Sequence, residues 1–68
     1  MSRKSSLAHN IKRLRKQFKL SQEELAKKAG VTYSTLIKIE SGVNMNPTIN
    51  TLMKIAKVLK IKIDDLLR

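Results

Sequence analysis

The chain has 68 residues, of which 41% are hydrophobic, and its fifteen Lys and Arg residues outnumber five Asp and Glu residues to give a formal net charge of +10. This length allows one domain, near the lower limit for a stable core, and the absence of cysteine excludes disulfides, thiolate zinc sites and cysteine catalysis. The charge favours a polyanionic partner, with nucleic acid first and an anionic membrane surface second.

The first predicted helix follows a basic segment, residues 1–5, which we expect to be a mobile tail. The helix is predicted to begin near Ser5 or Ser6, because apolar residues then recur at steps of four, three and four and share one face. We expect this face to lie in the core; it carries Leu7, Ile11, Leu14 and Phe18. The other faces are basic, with Lys12, Arg13, Arg15 and Lys16. They form either a solvated surface or a flank that touches phosphates, and the sequence leaves both open.

The second helix has clear signals at both ends. Ser21 is a capping residue, and Glu24 three positions later completes a capping box. Leu20 before the cap can pack on Leu25 after it as a hydrophobic staple. Gly30 marks the end, where the chain needs a left-handed conformation. The start and the end of this helix are therefore predicted from local sequence alone.

The third helix begins after a second cap, Thr32, and stops before Gly42. Two short helices joined by a turn of about three residues are typical of the helix-turn-helix of DNA-binding proteins. The predicted buried side of the pair comprises Leu25, Ala26, Ala29, Leu36 and Ile39. The outward side of the third helix carries Ser34, Lys38 and Ser41, with Tyr33 and Thr35 near its start.

The last third of the chain is predicted to add two helices. Residues 43–47 form a loop, since Pro47 disfavours helical geometry in the residue before it. Thr48 caps a fourth helix with an apolar face of Leu52, Ile55, Ala56 and Leu59. Residues 60–63 alternate like a strand, but no other segment can pair with them. We therefore predict a short fifth helix near Ile63 to Leu67 and an all-α domain.

An ordered set of motifs spans nearly the whole chain, from about Leu7 to Leu67. Its parts are Leu20-Ser21-Gln22-Glu23-Glu24-Leu25-Ala26, Gly30-Val31, Leu36-Ile37-Lys38-Ile39-Glu40-Ser41-Gly42, Asn46-Pro47, and Leu52 with Ile55-Ala56-Lys57-Val58-Leu59. Together they resemble the phage Cro/CI repressor family, also called Xre-type regulators. The resemblance implies a compact five-helix, lambda-repressor-like DNA-binding domain. In such a domain the second helix crosses the DNA backbone and the third, the recognition helix, enters the major groove.

The resemblance also implies which residues meet DNA. Gln22 would contact a phosphate, helped by free N–H groups at the start of its helix. The groove-facing residues would be Thr32, Tyr33, Ser34, Thr35 and Lys38, with Ser41 on the same outward side and Asn44 in the following loop. A structural ion pair between Arg15 and Glu40 would link the first helix to the recognition helix.

Several of these residues have a second interpretation. Tyr33 either contacts bases or stacks on Ile37 as a partly buried ring. Lys38 either contacts DNA or is one more solvated lysine. Asn44 and Asn46 either contact phosphate or satisfy the backbone of their own loop.

Departures from the family pattern weaken two parts of the expectation. Lys60 stands where relatives usually have Gly, and Lys62 where they often have a capping Ser or Thr, so the turn into the fifth helix is less well specified. The recognition helix also lacks the Gln, Asn and Arg residues that make bidentate contacts to bases, and only Lys38 suits guanine. We therefore expect backbone and shape contacts to supply much of the affinity.

The predicted function is that of a sequence-specific, double-stranded DNA-binding transcriptional regulator, a repressor that reads the major groove. It would act as a homodimer on a palindromic operator with half-sites roughly 34 Å apart. Candidate exposed apolar residues for the dimer contact are Ile49, Val58, Ile63 and Leu67. The alternatives are an antitoxin, with a toxin as its partner, or a restriction–modification controller, each binding its own promoter. A protein- or RNA-interaction module without sequence-specific DNA binding is a further alternative.

Other classes of function find little support. No apolar run approaches the roughly 18 residues of a membrane span, and residues 1–16 lack the apolar region of a signal peptide. We expect a soluble, cytoplasmic protein, bacterial or phage-encoded and associated with the nucleoid. No nucleophile and general base can be assembled, and His9 has no metal-binding partners, so we expect no enzyme, cofactor or metal site.

Overall fold

The computed structural model describes residues 6–68, and the predicted tail at residues 1–5 lies outside the described residues. This part of the chain forms five helices and no strand. They are α1 (Ser6–Gln17), α2 (Gln22–Ala29), α3 (Tyr33–Glu40), α4 (Ile49–Leu59) and α5 (Ile63–Leu67). The all-α prediction is confirmed, including a short fifth helix in place of a strand.

One core joins all five helices. Helix α1 packs against α3 and α5, and α2 packs against α3 and α4. The fully buried large side chains are Ile11, Leu25, Leu36, Ile39, Ile55, Leu59 and Leu66. They are aliphatic, as the shortage of aromatic residues required. The core therefore holds the α2–α3 pair from its inner side and leaves the outer side of α3 in solvent.

The local signals of the helix pair act as predicted. The Ser21 hydroxyl accepts a hydrogen bond from the Glu24 N–H at 3.0 Å, and the Ser21 N–H donates to the Glu24 carboxylate at 2.8 Å. Gly30 is left-handed with φ +74°. The Thr32 hydroxyl accepts from the Thr35 N–H at 3.1 Å and caps α3. Both helix starts are thus set by side chains within one turn of the chain.

The prediction that Phe18 lies in the core is wrong, because its side chain is 40% exposed. Helix α1 ends at Gln17, and Lys19 turns the chain with φ +58°. Phe18 therefore lies in the turn and not on the continued apolar face.

Two of the candidate dimer residues also differ from expectation, since Val58 and Ile63 are half-buried and pack against the core.

The turn between α4 and α5 shows how the chain accommodates its departures from the family pattern. Lys60 adopts the left-handed conformation with φ +58°, and its N–H bonds to the carbonyls at the end of α4. Lys62 occupies the cap position of α5, and within residues 6–68 its side chain makes no capping hydrogen bond. Helix α5 is held instead by the buried Leu66 and by Asn10, whose Nδ2 donates to the Leu66 carbonyl at 2.9 Å.

Candidate nucleic-acid interface

The outward face of α3 is polar and exposed. Tyr33, Ser34 and Lys38 are exposed, while Thr35 is half-buried. The Thr32 hydroxyl donates to the Thr35 hydroxyl at 2.7 Å while it accepts from the Thr35 backbone. Its hydrogen is therefore used within the cap, whereas the Thr35 hydroxyl keeps its own hydrogen for an outside acceptor.

Tyr33 lines a surface groove that runs along α2. The residue is 46% exposed, and the other residues that line the groove are Ser21, Glu23, Glu24, Ala26, Lys27 and Val31. The N-terminal ends of α2 and α3 each carry unpaired backbone N–H groups and the positive end of a helix dipole, which favour an anionic ligand. At the start of α2 this potential acts together with two carboxylates in the first turn, those of Glu23 and Glu24.

The Glu24 carboxylate in this first turn is turned back onto its own helix. Hydrogen bonds from the Ser21 backbone N–H and from the Ser21 side chain lower the pKa of Glu24 below its ordinary value of 4.5. The carboxylate therefore stays ionised at neutral pH and is held in the capping box. Glu23 is exposed and outside the box.

Ser41 and Asn44 both serve the turn after α3. The Ser41 hydroxyl donates to the Lys38 carbonyl at 3.2 Å and accepts from the Val43 N–H at 3.4 Å. The Asn44 side-chain oxygen accepts from the Asn46 N–H at 3.0 Å, so this oxygen satisfies the loop, as one interpretation expected. Only its amide hydrogens are then left to donate to a phosphate. The structure does not bring these two residues into the groove beside Tyr33.

A buried polar cluster ties the pair to α1. Arg15 Nε donates to Glu40 Oε2 at 2.8 Å and Arg15 Nη2 donates to Glu40 Oε1 at 3.1 Å, which makes a bidentate ion pair. The side chain of Glu40 is 1% exposed and that of Arg15 is 11% exposed. Arg15 Nη1 also donates to the carbonyl of Leu20, the residue before the α2 cap, at 2.8 Å. One guanidinium thus links α1, α3 and the turn into α2.

Gln22 is the member of this cluster that sequence reasoning did not place there. Its Nε2 donates to Glu40 Oε1 at 3.1 Å, and its side chain is half-buried at the start of α2. A buried carboxylate has about four lone-pair sites and one arginine fork uses only part of them, but nothing in the sequence identifies the further donor. Across the described part of the chain, every buried side-chain nitrogen or oxygen has a partner.

Comparison with known proteins identifies the family. A family model described as Helix-turn-helix, HTH_3, matches residues 11–66. An uncharacterized HTH-type transcriptional regulator of Archaeoglobus fulgidus is 43% identical over 56 residues, which cover 82% of this chain and 78% of that protein. The chain belongs to the helix-turn-helix family, and the resemblance to the Cro/CI or Xre-type regulators is confirmed.

Two solved structures of a regulator from this family are similar over nearly the whole chain. The N-terminal DNA-binding domain of SinR from Bacillus subtilis has a TM-score of 0.91 at 39% identity, covering 94% of this chain and 93% of that one. SinR in complex with DNA has a TM-score of 0.88 at 40% identity, covering 91% and 98%. The fold of this chain is thus similar to that of the SinR DNA-binding domain over nearly its whole length. Within residues 6–68, no helix has the length and apolar character to cross a membrane.

Proposed function

We propose that this regulator binds specific sequences of double-stranded DNA, with α3 in the major groove and the start of α2 on the phosphate backbone, and that it represses transcription. The observation that carries the proposal is the exposed outward face of α3, which bears Tyr33, Ser34 and Lys38 while the inner side of the helix packs on α2 and the core. Tyr33 at the start of α3 lines a surface groove with residues of α2. The similarity to SinR, which has been solved in complex with DNA, supports it.

Electrostatics supports the same partner. The formal charge of +10 attracts DNA without regard to sequence. Specificity then depends on the few α3 side chains that reach base edges, of which Lys38 is the one suited to guanine. We therefore expect a large salt-dependent affinity with a modest sequence preference.

Selection of duplexes from a random pool, followed by titration over a range of salt, tests this function. Lys38→Ala should change which sequences are enriched, because it removes a base contact, and should weaken binding to them by about 1–3 kcal/mol. Lys57→Ala is the matched control, since Lys57 is an exposed lysine on α4. It should leave the enriched sequences unchanged. Enrichment of no sequence by the wild-type protein would refute specific recognition.

We further propose that the active form is a homodimer on a palindromic operator, with half-sites about 34 Å apart. Ile49 and Leu67 support it as candidate contacts, being 60% and 50% exposed. Met53, one helical turn after Ile49, is exposed as well. Replacement of Ile49 by Asp should lower the dimer fraction in sedimentation and weaken operator binding together. If the protein binds a palindrome cooperatively and Ile49→Asp does not weaken that binding, the dimer contact does not involve Ile49.

A further inference from the structure

The hydrogen bond between Gln22 and Glu40 determines which way the glutamine amide faces. A carboxylate accepts hydrogen bonds and cannot donate them, so the amide must turn its nitrogen toward Glu40 and its oxygen away. Nε2 carries two hydrogens, and Glu40 takes one of them. The second hydrogen remains for another acceptor, and a phosphate oxygen is such an acceptor.

Glu40 is itself held in place. Its carboxylate accepts three hydrogen bonds, two from Arg15 and one from Gln22. The third guanidinium nitrogen of Arg15 is bound to the Leu20 carbonyl, next to the cap of α2. Glu40 lies at the end of α3, whereas Gln22 is the first residue of α2. The Glu40 carboxylate is therefore fixed in position. It can orient the side chain of Gln22, which is half-buried at the start of α2.

We propose that Glu40, fixed by Arg15, is a positioning residue that preorganises Gln22 as a hydrogen-bond donor to a DNA phosphate. This inference rests on the proposed function and adds a DNA-binding role to an ion pair that otherwise only stabilises the fold. The expected effect on DNA affinity follows from the entropy of ordering one glutamine side chain. Ordering this side chain before DNA binds corresponds to about a threefold to tenfold gain in affinity. Because Gln22 would contact a phosphate of the DNA backbone and not a base, the gain in affinity applies to all DNA sequences alike.

The decisive variant removes both charges of the pair. Arg15→Met combined with Glu40→Leu keeps the net charge at +10 and replaces a buried ion pair by apolar residues of similar volume, which is often neutral or stabilising. Unfolding by urea establishes that the fold is retained. Affinity for random duplex DNA is then measured for this double variant, for Gln22→Ala, and for the combination of all three changes.

The expected result is a loss of affinity of about threefold to tenfold in the double variant. Adding the double change to Gln22→Ala should have no further effect, because the residue to be oriented is already gone. Equal losses with and without Gln22 would overturn the positioning role. If Gln22→Ala itself binds DNA as tightly as wild type, the phosphate contact and this inference both fail while the proposed function stands. If the wild type binds no duplex, the proposed function fails.

A measurement on the wild-type protein keeps the inference testable even if the double variant does not fold. The chain has two glutamines, and Gln17 at the end of α1 is exposed whereas Gln22 is half-buried. Nuclear magnetic relaxation of the side-chain NH₂ groups, without DNA, should give an order parameter near that of rigid backbone for Gln22 and below about 0.6 for Gln17. Equal mobility of the two would overturn the proposed preorganisation.

Discussion

Replacing Lys60 by Gly should stabilise the domain, although it removes a side chain. Lys60 ends α4 in the left-handed conformation, with φ +58°. An L-residue in this conformation costs roughly 1–2 kcal/mol, and glycine avoids the cost. Against this, glycine loses about 0.5–1 kcal/mol through its greater freedom in the unfolded chain. Loss of a lysine charge near the carbonyl end of a helix costs about 0.3 kcal/mol more.

The balance is a gain of roughly 0.5 kcal/mol, equivalent to a rise in Tm of about 2–4 °C for a domain of this size. Thermal unfolding followed by circular dichroism measures it. Lys57→Gly is the matched control, because it makes the same replacement three residues earlier inside α4. There the change should cost about 1 kcal/mol. A fall in Tm for Lys60→Gly as large as that for Lys57→Gly would refute the strain argument.

The other predictions concern the ion pair and the capping box. Arg15→Ala leaves the buried Glu40 carboxylate without its partner and should cost about 3–5 kcal/mol, measured by urea unfolding, which approaches the whole stability of a small domain. In Glu24→Gln, the free energy of unfolding should fall less steeply with decreasing pH than it does in the wild type. Because the pKa of Glu24 is lowered in the folded protein, its contribution is present above its ordinary value of 4.5 and is lost as the pH falls through the lowered pKa.

Controls separate these effects from simple loss of charge. Arg15→Met with Glu40→Leu should be far more stable than Arg15→Ala, since neither charge is then left unpaired. If both variants unfold alike, packing and not charge accounts for the loss. For the capping box, the free energy of unfolding of Glu24→Gln and of the wild type is measured in a series of buffers from about pH 6 to pH 3. An equally steep fall with acid in both proteins would refute a contribution from the Glu24 carboxylate.

Local features of this fold could be predicted from the sequence because they depend on neighbours in the chain. The capping box of Ser21 and Glu24 and the left-handed Gly30 each involve residues within a few positions of one another. The apolar period predicted the buried residues of α2 and α3 for the same reason. A periodic pattern cannot tell where a helix stops, however, so the predicted apolar face continues to Phe18 although α1 ends at Gln17.

Features that join distant segments were less accessible. The bond from Gln22 to Glu40 spans 18 positions, and the bond from Asn10 to Leu66 spans 56. Neither has a local signal, because the chemistry of an amide donor does not specify its acceptor. The burial of Val58 and Ile63 could likewise not be predicted from the sequence. Both residues pack at the edge of the core, and where that edge lies depends on how all five helices pack together.

The bond between Asn10 and Leu66 bears on how this domain opens and closes. Helix α5 has five residues, too few to persist as a helix by itself, and it is held by the buried Leu66, the half-buried Ile63 and this contact to α1. Its order therefore depends on α1 and α4 being in place, and we expect it to be the first helix to detach in the native ensemble. Amide hydrogens of α5 are expected to exchange through local opening, well before those of α2 and α3 exchange through global unfolding.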